Sequence, residues 1–254
     1  MNRTARALAP RRRTIRRLIT DIDGTLTDRH RRLDPDAIRA LRRVEERGIP
    51  VVLATGNVLP IALALQRSLG LSGPIVAENG GIVLDRVRGR ERVRRRCDRA
   101  PALAAFRRLR RAGLPVQRLF TDRWRETEVA IEPTVGIARI RRALGPTTLR
   151  VESTGFAIHL MGPGGGKVEA LAELLGEAGV GLADCAALGD GDNDVEMLRA
   201  VGHSVSFASA SPRARAAAGY VARRSYSEGF VEGLIHLGLV PGRAARSGVA
   251  DAGG

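Results

Sequence analysis

Four short apolar runs constrain this chain most: RLIT leading into DID, IPVVLAT, GPIVAENGGIVL, and DCAALGD. Within each, apolar residues follow one another without alternation. A strand with one wet face alternates, so these read as strands covered on both faces, the pattern of a parallel sheet. Segments with helical spacing lie between them. DPDAIRALRRVEERG offers Asp34 as N-cap, Pro35 in the first turn, Ile38, Leu41 and Val44 on one face, and Gly48 as the stop. VLPIALALQRSLG, KVEALAELLGEAG, NDVEMLRAVG and EGFVEGLIHLG read as further helices, and HSVSFA as a further strand. Strand and helix in turn predict an α/β fold: a Rossmann-like, doubly wound parallel sheet.

The rhythm breaks between residues 85 and 161. Arginine-rich RVRGRERVRRR is followed by a helix over APALAAFRRLRRAG, a run of strand character, RLFTDRWRETEVAIEP, a helix over VGIARIRRALG, and two strands, LRVES and GFAIHLM. The sequence therefore predicts a core of residues 14–84 and 162–240, with a small α+β insert at 85–161. Residues 1–13 lack periodicity and read as a disordered basic arm; the Gly/Ala/Arg-rich segment 241–254 reads as a flexible tail.

Charge needs mapping before it means anything. The formal net charge is +15. Residues 1–17 carry seven arginines and no acid, and 86–111 carry twelve against Glu91 and Asp98, so these two patches hold the whole excess. Aromatics are 3% of the chain, too few for a base-stacking platform. A solvated face is the expectation for both patches, and nucleic acid is not expected as a partner. Two cysteines without a C-x-x-C pair point to a reducing compartment and to no cysteine-bound metal. No apolar run approaches the roughly 18 to 20 residues of a membrane span, and the basic N-terminus lacks the apolar stretch of a secretion signal. The expectation is a cytoplasmic protein with no membrane partner; a homodimer is left open.

The chemistry concentrates at the carboxyl ends of the strands, where open parallel sheets bind ligands. Asp21 and Asp23 follow the first strand, two apart, so an extended backbone turns both to one side. Gly24 then permits a sharp exit. Thr55 follows the second strand. In GDGDND, Asp190 and Asp194 are four apart and stack on one face of a nascent helix. Four carboxylates in one cleft repel unless a cation lies among them, and an oxygen-only set suits Mg²⁺ better than Zn²⁺. Calcium loops are excluded: position 6 is Leu26 or Val195 where glycine is required, and position 12 is Arg32 or Val201 where glutamate is.

One more residue stands out. Of 42 lysines plus arginines, Lys167 is the single lysine, within GPGGGKVEA. A nucleotide-binding loop does not fit, since Met161 and Val168 occupy the positions of its first glycine and its hydroxyl.

DIDGTLTD, ATGN, the lone lysine ahead of a helix, and GDGDND, in that order, resemble the four motifs of the haloacid dehalogenase superfamily of phosphatases, over about residues 14–240. The insert resembles that superfamily's type-IIB cap, and TDRWRE, GFAIHLM and ENGG resemble its archaeal phosphoglycolate phosphatases. The resemblance implies that Asp21 is the nucleophile and that Asp23 is the acid and base. It implies that Thr55, the Gly56 N–H and Lys167 hold the phosphoryl group. Mg²⁺ would be held by Asp21, the Asp23 carbonyl, Asp190 and Asp194, with Asn193 positioning the second acidic cluster. Lys167 would have to touch Asp21 and a phosphoryl oxygen together, which a compact ammonium does better than a planar guanidinium. The implied partner is a small phosphorylated metabolite, 2-phosphoglycolate first. Another small phosphorylated acid or a sugar phosphate stays open, as does a polyanion-binding role for the arginine patches. Arg123 and Arg125, flanking Trp124, are expected to be solvated around a packed indole. The four histidines, His30, His159, His203 and His236, show no metal spacing and read as packing or surface residues.

Overall fold

RLIT becomes β1 (Arg17–Thr20), the central strand of the sheet, with every residue after Arg17 buried. The computed structural model describes residues 14–154 and 156–242. The expected arm at 1–13 and residues 243–254 of the expected tail lie outside them. In chain order come α1 (Pro35–Glu46), β2 (Val51–Ala54), α2 (Leu59–Leu69), β3 (Ile75–Ala77), β4 (Ile82–Val87) and β5 (Arg90–Arg95). Next are α3 (Ala100–Arg111), β6 (Glu128–Ile131), α4 (Ile137–Leu144), β7 (Arg150–Ser153) and β8 (Ile158–Met161). The rest are α5 (Lys167–Glu177), β9 (Cys185–Leu188), α6 (Val195–Ala200), β10 (His203–Phe207), α7 (Pro212–Ala217), β11 (Tyr220–Ala222) and α8 (Tyr226–His236).

Eight strands form one sheet in the order β11-β10-β9-β1-β2-β3-β4-β5. The strands from β11 to β3 pair in parallel; β4 and β5 add an antiparallel hairpin at one edge. Successive strand residues face opposite layers. Leu18 and Leu53 pack with Leu41 and Val44 of α1, Ala62 of α2 and Phe230 of α8, while Ile19 and Val52 pack with Leu171 and Leu174 of α5 and Leu198 of α6. Truncating one fully buried Leu of this kind to Ala costs about 2–5 kcal/mol. Helix α1 starts as its sequence predicts: the Asp34 carboxylate accepts the Asp36 N–H at 2.7 Å, and Pro35 occupies the first turn.

The hairpin corrects the expected boundary at 85. β4 crosses it and β5 lies wholly beyond it, yet both belong to the core sheet. Val83 and Leu84 of β4 are buried, and a two-residue turn with positive φ at Arg88 (50°) and Gly89 (79°) returns the chain along it. RERVRR has no apolar run to announce a strand. Arg92 and Arg94 within it, and Arg96 just beyond it, are held instead by acids. Arg92 pairs with Asp85 at 2.6 Å and Glu177 at 2.8 Å, Arg94 with Glu173 and Glu177 at 2.8 Å, and Arg96 with Glu173 at 2.9 Å. Part of the second arginine patch is therefore a ladder onto α5 and not a free solvated face.

A second sheet, β6-β8-β7, is antiparallel. Val129, Ile131 and Leu160 of its strands pack with Ala102 and Leu109 of α3 and Ile140 of α4 in a separate core cluster. The run RLFTDRWRETEVAIEP is extended only at β6; Phe120–Trp124 forms a short 3-10 turn. That reverses the expectation for two of the three side chains, since Trp124 is 47% exposed and Arg125 is 3% exposed, while Arg123 is exposed as expected.

Candidate active site

The chain runs outward from β1 to β2 to β3 on one side and from β9 to β10 to β11 on the other, so the order reverses between β1 and β9. At that point the carboxyl ends of neighbouring strands diverge and leave a crevice. Asp21 leaves β1 there, its N–H on the Leu188 carbonyl at 3.1 Å. Asp190 follows β9, and Thr55 follows β2. Gly24 has φ 81°, and a Cβ at that position would collide with the Asp190 carboxylate, so only glycine lets the two motifs approach.

Lys167 opens α5 and is buried, with Nζ donating to Asp21 Oδ1 at 2.8 Å and to Asp194 Oδ1 at 2.6 Å. Asp194 Oδ2 accepts the N–H groups of Asp190 (3.1 Å) and Gly191 (2.9 Å), which fixes the turn carrying Asp190. The Thr25 hydroxyl donates to Asp190 Oδ1 at 2.9 Å. Carboxylate oxygens of Asp21, Asp190 and Asp194 lie within 4.8 Å of one another. Three carboxylates thus face one ammonium. Burial, with Asp194 and Asp190 adding to it, raises Asp21 well above the ordinary carboxylate range despite Lys167. Asp190 is pushed up to about 7, chiefly by burial and next by Asp194. Burial acts to lower Lys167, but Asp194 and Asp21 outweigh it and hold its ammonium protonated. An all-oxygen cluster short of positive charge fits a hard divalent cation such as Mg²⁺.

Six of the expected residues, Asp21, Asp23, Thr55, Gly56, Asp190 and Asn193, border one cavity of about 20 Å³, which Thr154 and Phe156 also line. Lys167 and Asp194 lie buried behind Asp21. Asp23 is partly exposed and takes a hydrogen bond from Asn57 Nδ2 at 2.5 Å. Thr55 Oγ1 accepts the Asn57 N–H at 3.1 Å.

The motifs of the sequence give no role to Asn57, Asn79, Arg125, Glu128 or His159. ENG turns through two consecutive left-handed residues, Glu78 (φ 48°) and Asn79 (φ 51°), a strained stretch of the kind found at functional sites. Asn79 accepts from Asn193 Nδ2 and donates to Glu128 Oε2, both at 3.1 Å. Glu128 Oε1 receives Arg125 and His159 Nδ1, and Arg125 also donates to the Gly56 carbonyl at 2.9 Å. His159 reaches Thr154 Oγ1 through Nε2 at 3.0 Å. This buried network ties the insert to the site loops. GFAIHLM carries the histidine, but its carboxylate partner Glu128 lies 31 positions earlier in the sequence.

A sheet whose order reverses beneath paired aspartates, a buried lysine and an acidic turn defines a class of protein. The family model described as haloacid dehalogenase-like hydrolase matches residues 18–124 and 130–234, and the chain belongs to that family. It is 38% identical over 221 residues to a phosphoglycolate phosphatase of Methanothermobacter thermautotrophicus, covering 87% of this chain and 97% of the relative. A phosphoglycolate phosphatase of Methanoculleus marisnigri is 38% identical over 227 residues, covering 87% and 95%. Among solved structures, Thermoplasma acidophilum 0175 superposes with a TM-score of 0.80 at 27% identity, covering 89% of this chain and all of that one. The subclass IIB sugar phosphatase BT4131 shares the fold with a TM-score of 0.72 at 20% identity, over 89% of this chain and all of that one.

Proposed function

We propose that this chain is a magnesium-dependent phosphatase that hydrolyses 2-phosphoglycolate to glycolate and phosphate through an aspartyl phosphate. The relatives named above support the substrate. One observation supports the chemistry most: the Lys167 ammonium bridges Asp21 and Asp194 in a cluster still short of positive charge.

The free Asp21 carboxylate oxygen attacks phosphorus in line. Asp23, beside it at the cavity wall, gives a proton to the leaving alkoxide and later takes one from the water that opens the aspartyl phosphate. Thr55 and the Gly56 N–H donate to the phosphoryl oxygens, and Lys167 steadies Asp21 against them. Asp21, Asp190, Asp194 and the Asp23 carbonyl would hold Mg²⁺. When bound, it neutralises the carboxylates and the phosphoryl oxygens, so that one anion can approach another. Asn57 keeps Asp23 beside the leaving group, and the insert loop at Thr154 and Phe156 excludes water.

No helix of the described residues is long and apolar enough to cross a membrane. Arg92, Arg94 and Arg96 are engaged by acids of the same chain, which weighs against a polyanion-binding role for that patch. Phosphate release should require Mg²⁺, and across a panel of phosphorylated metabolites kcat/KM should be highest for 2-phosphoglycolate by at least about tenfold. A sugar phosphate at the head of that panel would overturn the substrate while leaving the chemistry intact.

A further inference from the structure

Arg31 has no part in the machinery described above. It sits in the loop after β1, in a turn closed by Asp28 N–H to Arg32 O and Arg31 N–H to Asp28 O, both 2.9 Å. The Asp28 carboxylate accepts the N–H groups of His30 (2.8 Å) and Arg32 (2.9 Å). These bonds hold Arg31 at φ 63°, a conformation costly for a residue with a Cβ. The side chain reaches back to Asp23 and Phe156, two residues that line the cavity. There the guanidinium lies 4.7 Å from the centroid of the Phe156 ring, and Nη2 stands 3.4 Å from Asp23 Oδ1. That long contact engages one of five N–H donors, and the side chain is 57% exposed.

Position decides what the spare donors meet. Asp23 must touch the ester oxygen to protonate it, so a cation beside Asp23 lies where the first substituent of the leaving alcohol falls. In the phosphate ester of a 2-hydroxy acid a single carbon separates the ester oxygen from the carboxylate. A carboxylate at that distance comes within reach of the guanidinium, whose fork matches its two oxygens. Phe156 covers one face of the guanidinium, restricts its hydration and contributes a cation–π attraction. A neutral alkyl group at the same place gains nothing from it.

We propose that Arg31, braced on Phe156, receives the anionic group of the leaving alcohol and so selects phosphate esters of short 2-hydroxy acids over neutral alkyl phosphates. This rests on the phosphatase reading above. The test compares 2-phosphoglycolate with ethyl phosphate on the full chain with saturating Mg²⁺. Arg31→Gln should lower the ratio of their kcat/KM values about thirtyfold, mostly through KM for the acid, the effect of one lost charge-assisted contact. Arg31→Lys should lose less, and Phe156→Leu should shift the ratio in the same direction by a smaller factor. An unchanged ratio in Arg31→Gln, or an equal fall for both esters, would overturn the assignment, the latter by showing that Arg31 acts through Asp23. A wild-type chain that favours neither ester would overturn it too. If the wild type released phosphate from neither, the phosphatase reading itself would fall, and this inference with it.

Discussion

Two buried charge clusters lie close together in this molecule and are built on opposite plans. At the junction of insert and core, Glu128 is fully buried, yet both its oxygens have donors: Arg125 and His159 on one, Asn79 on the other. Burial acts to raise its pKa, but the charges of His159 and Arg125 outweigh burial and hold the carboxyl down to about 2. In the crevice, burial drives the buried Asp21 and the half-buried Asp190 the other way, because Asp21, Asp190 and Asp194 have only the one ammonium of Lys167 to oppose it. Burial alone therefore does not set the direction; the count of opposing charges does. The balanced cluster holds two parts of the fold together. The unbalanced one has the charge and the oxygen-only make-up that suit a cation.

Removing one carboxylate from each cluster should separate the two plans most widely. Asp21→Asn should abolish phosphate release, a loss of about 10⁴-fold or more, while its urea-unfolding midpoint without Mg²⁺ stays level or rises because a repulsive charge is gone. Glu128→Gln should do the reverse. It strands Arg125 in the interior and should cost on the order of 3–5 kcal/mol of stability. Acid adds a signature. The folded-state pKa of Glu128 lies below the ordinary value of 4.5, so its contribution is complete above pH 4.5 and is lost as pH falls toward 2. That loss is on the order of 3 kcal/mol and should be missing in Glu128→Gln. If Asp21→Asn proved the less stable of the two variants, the comparison would fail.

A third variant probes geometry at constant charge. Lys167→Arg keeps the cation, but a guanidinium has to bridge Asp21 and Asp194 where an ammonium now makes bonds of 2.8 and 2.6 Å. Turnover should fall by about a hundredfold or more, the range for losing one placed donor. Near-normal turnover would show that charge alone suffices there.

Proximity along the chain explains how much of this was legible. RLITDID, IPVVLAT and DCAALGD each carry a buried strand and its functional ending within seven residues, so the parallel sheet and the positions of Asp21, Thr55 and Asp190 could be read directly. β5 could not, because RERVRR is stabilised by a hairpin turn and by Glu173 and Glu177 some eighty positions away. Arg125 looked solvated because its carboxylate is three residues on, across a bend that the strand-like pattern of TDRWRETEVAI concealed. Asn79 and Glu128 meet only through tertiary contact. Periodicity reports which face is apolar; it does not report which charges find each other once that face is covered.

The smallest expected effect tests the acidic cluster as a cation site most directly. Asp190 has a folded-state pKa raised to about 7, chiefly by burial and next by Asp194. For a carboxyl shifted upward, the folded state keeps its proton longer than the unfolded state, so its contribution to stability declines as pH rises from about 4 to 7. Metal binding requires the deprotonated form and should therefore strengthen across the same window. Mg²⁺ at about a hundred times its dissociation constant should stabilise the fold by about 2.7 kcal/mol at pH 8, seen as a rise in melting temperature. The same concentration should do less than half of that at pH 5. Asp190→Asn should abolish the rise at both values, whereas Glu128→Gln, although less stable throughout, should retain the full magnesium increment. An increment equal at pH 5 and pH 8 would mean that the acidic cluster is already charge-balanced without a metal, and the distinction between the two clusters would disappear.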